Sequence, residues 1–167
     1  AIFAGGFTLE AAIEVASGDA TDEFAATDTL SQLVARSLVV FATGAGGARY
    51  KLLETTRIFA LEKLDEAGES DEIKRRHAAH FRDRFARAYD DWIDMSDAQW
   101  HASYLPERDN VRVALDWAIG ARGDPALGIA LSGASGALWA ELSLTGEGRQ
   151  RLEAALAVVD AQTPLED

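Results

Sequence analysis

Histidines and acidic residues in the middle of the chain are the first candidates for chemistry, because these residue types bind metals or transfer protons. His77 and His80 lie three residues apart, so one helix face would bring both imidazoles together. No third ligand shares that spacing, and the Lys and Arg residues between 74 and 84 would repel a cation. Asp90 and Asp91 are adjacent, but neither a base nor a nucleophile accompanies them. We therefore predict no metal site and no catalytic constellation.

Segment 44–47 is rich in glycine, and such loops can hold phosphate groups. It lacks the Lys-Ser/Thr pair of a P-loop, and no helix starts directly after it. We interpret it as the turn of a β-hairpin. The tryptophans could line a ligand groove, but their helical spacing favours packing in a core: Trp92, Trp100, Trp117 and Trp139.

The charge of the chain argues against nucleic acid as a partner. The formal net charge is −12, and residues 1–50 carry two basic and six acidic side chains. A duplex-binding face needs several Lys or Arg residues to neutralise phosphates. The one basic cluster, between 74 and 84, could meet an anionic surface, but a solvated helix face paired with nearby acids is the interpretation we favour.

Composition sets the broad class of the 167-residue chain. Its apolar and charged fractions, 48% and 26%, are those of an ordinary globular protein. No apolar run approaches the roughly 18 residues of a membrane span, so we expect no membrane partner. The absence of cysteine favours a cytoplasmic setting. Because the chain opens on apolar residues without Met, we interpret it as part of a longer protein.

The first 68 residues follow the element order of a winged helix. Ala1 to Phe3 suggest the last turn of a helix, and Thr8 can cap the next. A third helix is predicted from Thr27 or Asp28, with Leu30, Leu33, Val34 and Leu38 inward. Strands are predicted over 38–41 and 49–54. Thr55 or Thr56 would then cap a helix that buries Ile58, Leu61 and Leu64, with Phe59 beside them, and that stops at Gly68.

From residue 69 to 167 the pattern is helical throughout. A long helix is predicted from Ser70 to Trp92, and Ser96 caps the next, which Pro106 kinks or restarts. Asp124-Pro125 opens a further helix. A last helix, about 148–161, should bury Leu152, Leu156 and Val159. We predict a mostly α protein: a winged-helix domain over 1–68 and an antiparallel helical bundle similar to tetratricopeptide repeats over 69–167.

Six segments together resemble the C-terminal half of bacterial STAND ATPases of the NB-ARC-like class, which include transcriptional regulators. In chain order they are FAGGFTLEAA, LSQLVARSLVV, YKLLETTRIFALEKL, RRHAAHF, ERDNVRVALDWAI and GEGRQRLEAAL. The resemblance implies a winged helix after an ATPase domain, and then the start of a helical sensor array. It implies no cofactor in this segment, with ATP or ADP bound by the upstream domain. That domain, and a protein or small-molecule effector on the helices, would be the partners.

The resemblance also implies candidates for a nucleotide-state switch. In NB-ARC proteins a Met-His-Asp triplet follows the hairpin, and its His approaches the ADP phosphate. Leu52, Leu53 and Glu54 fall on that triplet, and Arg57 falls on a basic residue one turn later. Leu53 cannot donate the hydrogen bond of a His. Glu54 retains the acidic side chain of the triplet, and we expect it to cap the helix. Together with Arg57, it would also fix the angle between hairpin and helix.

Three functions remain open at this point. The first, which we favour, is a non-catalytic regulatory segment of a signal-transduction ATPase. The second is a DNA-binding winged helix. Its recognition helix over 29–37 would offer only Arg36 as a cation, with Gln32 and Ser31 as polar side chains for base contacts. The third is a protein-interaction scaffold without a switch. Gel-shift assays would separate the second from the others.

Overall fold

The computed structural model describes residues 1–17, 23–44 and 46–159, and it confirms the mostly α fold. A winged helix with a two-stranded hairpin comes first and a helical bundle follows. The elements of the winged helix are α1 (Leu9–Ser17), α2 (Glu23–Ala35), β1 (Val39–Gly44), β2 (Gly47–Leu52) and α3 (Glu54–Glu66). Those of the bundle are α4 (Ser70–Ala86), α5 (Ala88–Asp94), α6 (Asp97–Tyr104), α7 (Arg108–Ala118), α8 (Pro125–Ala134), α9 (Gly136–Glu141) and α10 (Thr145–Ala157).

The segment before α1 joins the hairpin instead of forming a helix. Strands β1 and β2 pair antiparallel, with Gly44 opposite Gly47 at the turn. Phe7 exchanges two backbone hydrogen bonds with Tyr50 of β2, at 2.9 and 2.8 Å. The predicted helical turn at Ala1 to Phe3 is therefore wrong. The two glycines after it allow the extended path, since Gly6 has a φ of 132°.

Helix α2 begins at Glu23, several residues before the predicted start at Thr27 or Asp28. Leu30 is buried as predicted, but Leu38 is 38% exposed. The helix ends at Ala35, and Ser37 with a φ of 57° turns the chain into β1. Leu38 therefore follows a different backbone direction from the helix, which explains why the helical spacing misplaced it.

Helix α3 packs more loosely than its sequence suggested. Ile58 and Phe59 are 49% and 59% exposed, and no residue of α3 is buried. Thr55 and Thr56 lie inside the helix, so neither is its N-cap. Leu61 and Leu64, predicted to face inward, are half-buried, and Leu61 packs against the core. Ala60 and Leu64 face an apolar cavity. The predicted stop is confirmed: Gly68 has a φ of 73°, and the Glu69 N–H bonds the Leu64 carbonyl at 3.2 Å.

Local signals in the bundle mark its helix starts correctly. Ser96 caps α6 and forms a capping box with Gln99. Asp124 caps α8 by accepting a hydrogen bond from the Leu127 N–H at 3.0 Å. A short 3-10 turn at Leu105–Glu107 carries Pro106 and separates α6 from α7. Among the described residues, no helix is long and apolar enough to cross a membrane.

Two predictions for the bundle are wrong. The helix expected from Ser70 to Trp92 divides at Arg87, and Trp92 is 43% exposed. Asp91, not Trp92, faces α6, because the Tyr104 hydroxyl donates to its carboxylate. The second error concerns α10, which leaves Leu152 and Leu156 exposed.

Helix α10 approaches its neighbours through small residues. A Cβ at Gly148 would lie 2.8 Å from Trp139 Cδ1, and Ala155 is fully buried. The face that packs is therefore the small one, and the leucines point away from it. Trp100 and Trp139 are buried, as their spacing predicted, while Trp117 is half-buried.

One hydrophobic core runs through both parts of the molecule. Phe3, Phe7 and Val15 of the winged helix belong to the same cluster as Phe81 and Leu115 of the bundle. Phe3 contacts the Phe81 ring edge-on, with centroids 6.4 Å apart. The domain boundary between residues 68 and 69 stays a prediction, but the two sides of it share their buried surface.

Candidate functional site

The polar side chains of α2 are mostly tied to the helix itself. Gln32 donates to the Asp28 carboxylate at 2.8 Å, and Ser31 donates to the Thr27 carbonyl at 2.9 Å. The helix contains no Lys or Arg. Arg36 lies exposed just beyond its end. Gln32 and Arg36, the residues predicted to contact DNA, are thus both on the surface, but only Arg36 is a cation.

The basic residues of the winged helix are largely paired with acids. Arg57 and Lys63 each bond a glutamate one turn away on α3. Arg49 of β2 points toward the bundle and bonds Glu107 at 2.6 Å. Within the described residues, Arg36 and Lys51 form no ion pair. These two unpaired cations provide little positive charge for binding a phosphate backbone.

Leu53, Glu54 and Arg57 stand together at the start of α3. Leu53 occupies the N-cap position and is 48% exposed, with no side-chain cap bond. Arg57 donates to both oxygens of the Glu54 carboxylate, at 3.1 and 2.9 Å. This hydrogen-bonded pair lowers the pKa of Glu54 below its usual value. The Glu54 carboxylate therefore binds Arg57 rather than the backbone N–H groups that it was expected to cap.

A polar network that the sequence analysis did not predict joins the winged helix to the bundle. Asn110 is completely buried and accepts a hydrogen bond from the Ala4 N–H at 2.8 Å. Its amide nitrogen donates to the Gly6 carbonyl and to Glu107, each at 2.8 Å. Arg49 completes the network through Glu107 and the same Gly6 carbonyl. We call Arg49, Glu107 and Asn110 the junction network.

The junction network had one recognisable signal in the sequence. Glu107 and Asn110 lie at helical spacing from Val111, Ala114 and Ala118, the buried face of α7. A charged and an amide residue on an otherwise apolar face must find partners when buried. The sequence could have marked them as buried polar residues, but not named Arg49 or the N-terminal backbone as their partners.

The two histidines considered for a metal have separate roles. His77 is buried between Phe3 and Phe81, with ring centroids 5.1 and 4.8 Å away. Burial lowers its pKa to about 3. His80 pairs with Glu14 of α1. No group of three metal-ligating side chains occurs in the described part of the chain.

An apolar cavity of about 570 Å³, partly open to solvent, lies between the winged helix and the start of α4. It is bounded by the N-terminal segment, by the helices α1 to α4 and by both strands, and Leu30, Leu52 and Leu64 contribute to its wall. The inner face of α3 meets this space, so the helix that carries the switch candidates has little packing beneath it. Such a helix can shift at low cost.

Comparison with known families agrees with the geometry of the first part of the chain. A family model described as a winged helix-turn-helix domain matches residues 1–65. These residues form a winged helix-turn-helix domain. In it, α2 stands where the second helix of the helix-turn-helix pair would be, and β1 and β2 form the wing.

Relatives extend the similarity into the bundle. Proteins of Mycobacterium tuberculosis and Mycobacterium bovis named "Putative HTH-type transcriptional regulator" are 40% identical over 115 residues, 69% of this chain. The chain spans 13% of their length. An uncharacterised M. tuberculosis protein is 40% identical over 85 residues, 49% of this chain and 21% of its own length. No solved structure matches the chain.

Proposed function

We propose that this chain is a non-catalytic regulatory segment of a transcriptional regulator, in which the winged helix and the helical bundle move as one unit. The observation that carries this proposal is the junction network, with a buried Asn110 and an Arg49–Glu107 pair at 2.6 Å. A signal that displaces one part must displace the other, because breaking the network would leave buried polar groups without partners. The names of the mycobacterial relatives support the regulatory role.

The finer form of the proposal is a STAND-type relay. Here an ATPase domain elsewhere in the full-length protein binds ATP or ADP and contacts the winged helix. The exposed apolar side chains around α3, including Leu53, Ile58 and Phe59, offer it a surface. The bundle would be a sensor array similar to tetratricopeptide repeats, and the protein would act in the cytoplasm.

A matched pair of arginine variants tests the relay. Arg49→Lys in the full-length protein keeps the charge but loses the planar fork that bonds Glu107 and the Gly6 carbonyl together. Arg149→Lys is the control, since Arg149 is 78% exposed on α10 and lies outside the junction network. We expect transcript levels of the regulated genes to change in the first variant and not in the second, at equal protein levels. Unchanged transcripts in Arg49→Lys would contradict the relay.

The switch candidates have a test of their own. Glu54→Ala frees Arg57 and should raise output without effector, because the pair would no longer bias the two-state equilibrium. Glu62→Ala, an exposed acid on the same helix, is the control. If both variants keep the basal output of the parent, Glu54 and Arg57 have no switching role.

DNA binding by the winged helix is the second candidate, and the family match to residues 1–65 favours it. The charge distribution favours the opposite outcome, and we propose that any DNA contact of the full-length protein comes from elsewhere. Fluorescence anisotropy with labelled genomic duplexes at about 0.15 M salt distinguishes the two. A sequence-specific complex that is lost in Arg36→Glu would establish the second candidate. It would also contradict our inference that DNA contacts lie outside the winged helix.

A further inference from the structure

Helix α5 presents an apolar surface that nothing in the described structure covers. Tyr89 and Ile93 are 62% and 68% exposed, and Trp92 beside them is 43% exposed. The Tyr89 and Trp92 rings meet edge-on, with centroids 6.3 Å apart. Positions 89, 92 and 93 share one side of a helix. Clustered exposed aromatic and aliphatic side chains usually mark an interaction site.

Acidic residues border the apolar side chains. Asp90 and Asp94 are one turn apart on the neighbouring side of α5, and Asp97 follows at the start of α6. No Lys, Arg or His occurs between residues 88 and 100. These three aspartates form no ion pair within the described part of the chain. We call Tyr89, Trp92, Ile93, Asp90 and Asp94 the aromatic–acidic patch.

The patch has two features that are unfavourable for stability. Asp94 lies in the last turn of α5, where a negative charge opposes the helix dipole. Trp92 and Ile93 leave 43% and 68% of their surface exposed, so they contribute less burial energy than core side chains do. Residues that break local rules without a structural gain are expected at functional sites.

Helix α5, which carries the patch, is fixed by contacts with α6. Ala88 is fully buried, and its carbonyl accepts a hydrogen bond from the Trp100 indole at 2.8 Å. The Tyr104 hydroxyl donates to Asp91, and Trp100 and Tyr104 stack with centroids 4.9 Å apart. A surface fixed in this way loses little conformational entropy when a partner binds.

We propose that the aromatic–acidic patch binds a cationic amphipathic helix of a partner protein, one whose apolar face lies beside Lys or Arg residues. Trp92 and Tyr89 would supply the apolar anchors, and Asp90 and Asp94 would pair with the flanking cations. Nucleic acid is repelled by the carboxylates, and a second copy of the chain would bring like charges together. The proposal specifies the bundle's partner, and it rests on the proposed function only for the expectation that the bundle receives one.

The test uses a synthetic Leu/Lys amphipathic helix of about four turns as the probe. Binding to the full chain is measured by calorimetry at about 0.15 M salt, so that long-range attraction to the net charge is screened. A scrambled Leu/Lys peptide of the same composition and a Leu/Glu peptide are the controls. We expect the amphipathic Leu/Lys helix to bind and the other two to bind at least about tenfold more weakly.

Matched variants locate the site. Ile93→Ser and Asp94→Asn should each weaken binding by about fivefold or more, the effect of losing about 1 kcal/mol. Leu156→Ser and Glu153→Gln, both exposed on α10, make comparable chemical changes elsewhere and should leave binding unchanged. Circular dichroism verifies that all four variants fold.

Three results would overturn the proposal. The first is failure of the amphipathic Leu/Lys helix to bind. The second is equal binding of the scrambled or Leu/Glu peptide, and the third is equal effects of the α5 and α10 variants. None of these results would contradict the junction relay, because the relay is measured by transcript levels in the Arg49 and Arg149 variants. The two proposals therefore fail separately.

Discussion

Asn110 is the most deeply buried member of the junction network. It is fully buried and bonds the Ala4 N–H, the Gly6 carbonyl and Glu107. Asn110→Ala removes all three bonds and leaves these groups short of partners. We expect the free energy of unfolding to fall by about 2–4 kcal/mol.

Denaturant unfolding measures this change. Gln150→Ala is the control, since Gln150 is exposed on α10, and it should stay within about 0.5 kcal/mol of the parent. A loss below 1 kcal/mol in Asn110→Ala would mean that the junction network contributes little.

His77 makes the stability depend on pH. Its pKa is about 3 in the fold and about 6.5 in the unfolded chain, so below pH 6.5 the unfolded chain binds a proton that the folded chain does not. This term lowers stability as the pH falls from 7 to 5, by about 2 kcal/mol. In His77→Leu that loss should disappear.

Unfolding of the parent and the variant at pH 7 and pH 5 provides the measurement. Phe85→Leu, a core change that leaves the imidazole in place, should lower stability at both pH values and retain the parent's loss between them. If His77→Leu loses as much stability on acidification as the parent, His77 is not the group responsible.

Two glycines in the helices and their ends should respond to alanine in opposite directions. Gly68 has a φ of 73°, which costs an L-residue about 1 kcal/mol or more, so Gly68→Ala should destabilise. Gly133 lies in α8, and a Cβ there meets nothing within 4 Å. Gly133→Ala should stabilise by about 0.5–1 kcal/mol. Thermal unfolding of both variants would show the two signs, and a shift in the same direction would contradict the assignment.

Elements with a local chemical signal were predictable from the sequence. Ser96, Asp124 and Gly68 mark their helix ends because a side-chain oxygen or a glycine acts within one turn. The faces of α3 and α10 were only partly predictable. Helix α3 turns Leu61 inward but leaves Ile58 and Phe59 exposed, and α10 packs through Gly148 and Ala155 and leaves Leu152 and Leu156 exposed. Helical spacing identifies an apolar face, but not which neighbour approaches it.

Across the whole molecule, the site depends on contacts between distant parts of the chain. Arg49 and Glu107 are 58 residues apart, and Ala4 and Asn110 are 106 apart. A single sequence shows the residue types but not these partners. The order of elements was sufficient to predict the winged helix and the helical bundle, because that order follows from local patterns. The junction between them appears only in the structure.

Hydrogen exchange under native conditions tests most directly whether the winged helix and the bundle are one unit. The slowest amides of α1 and of α7 should exchange with the same free energy of opening in the parent. In Asn110→Ala both values should fall together. If α1 exchanges at a clearly lower free energy than α7 in the parent, and only one of them changes in Asn110→Ala, the two parts open separately and the account is wrong.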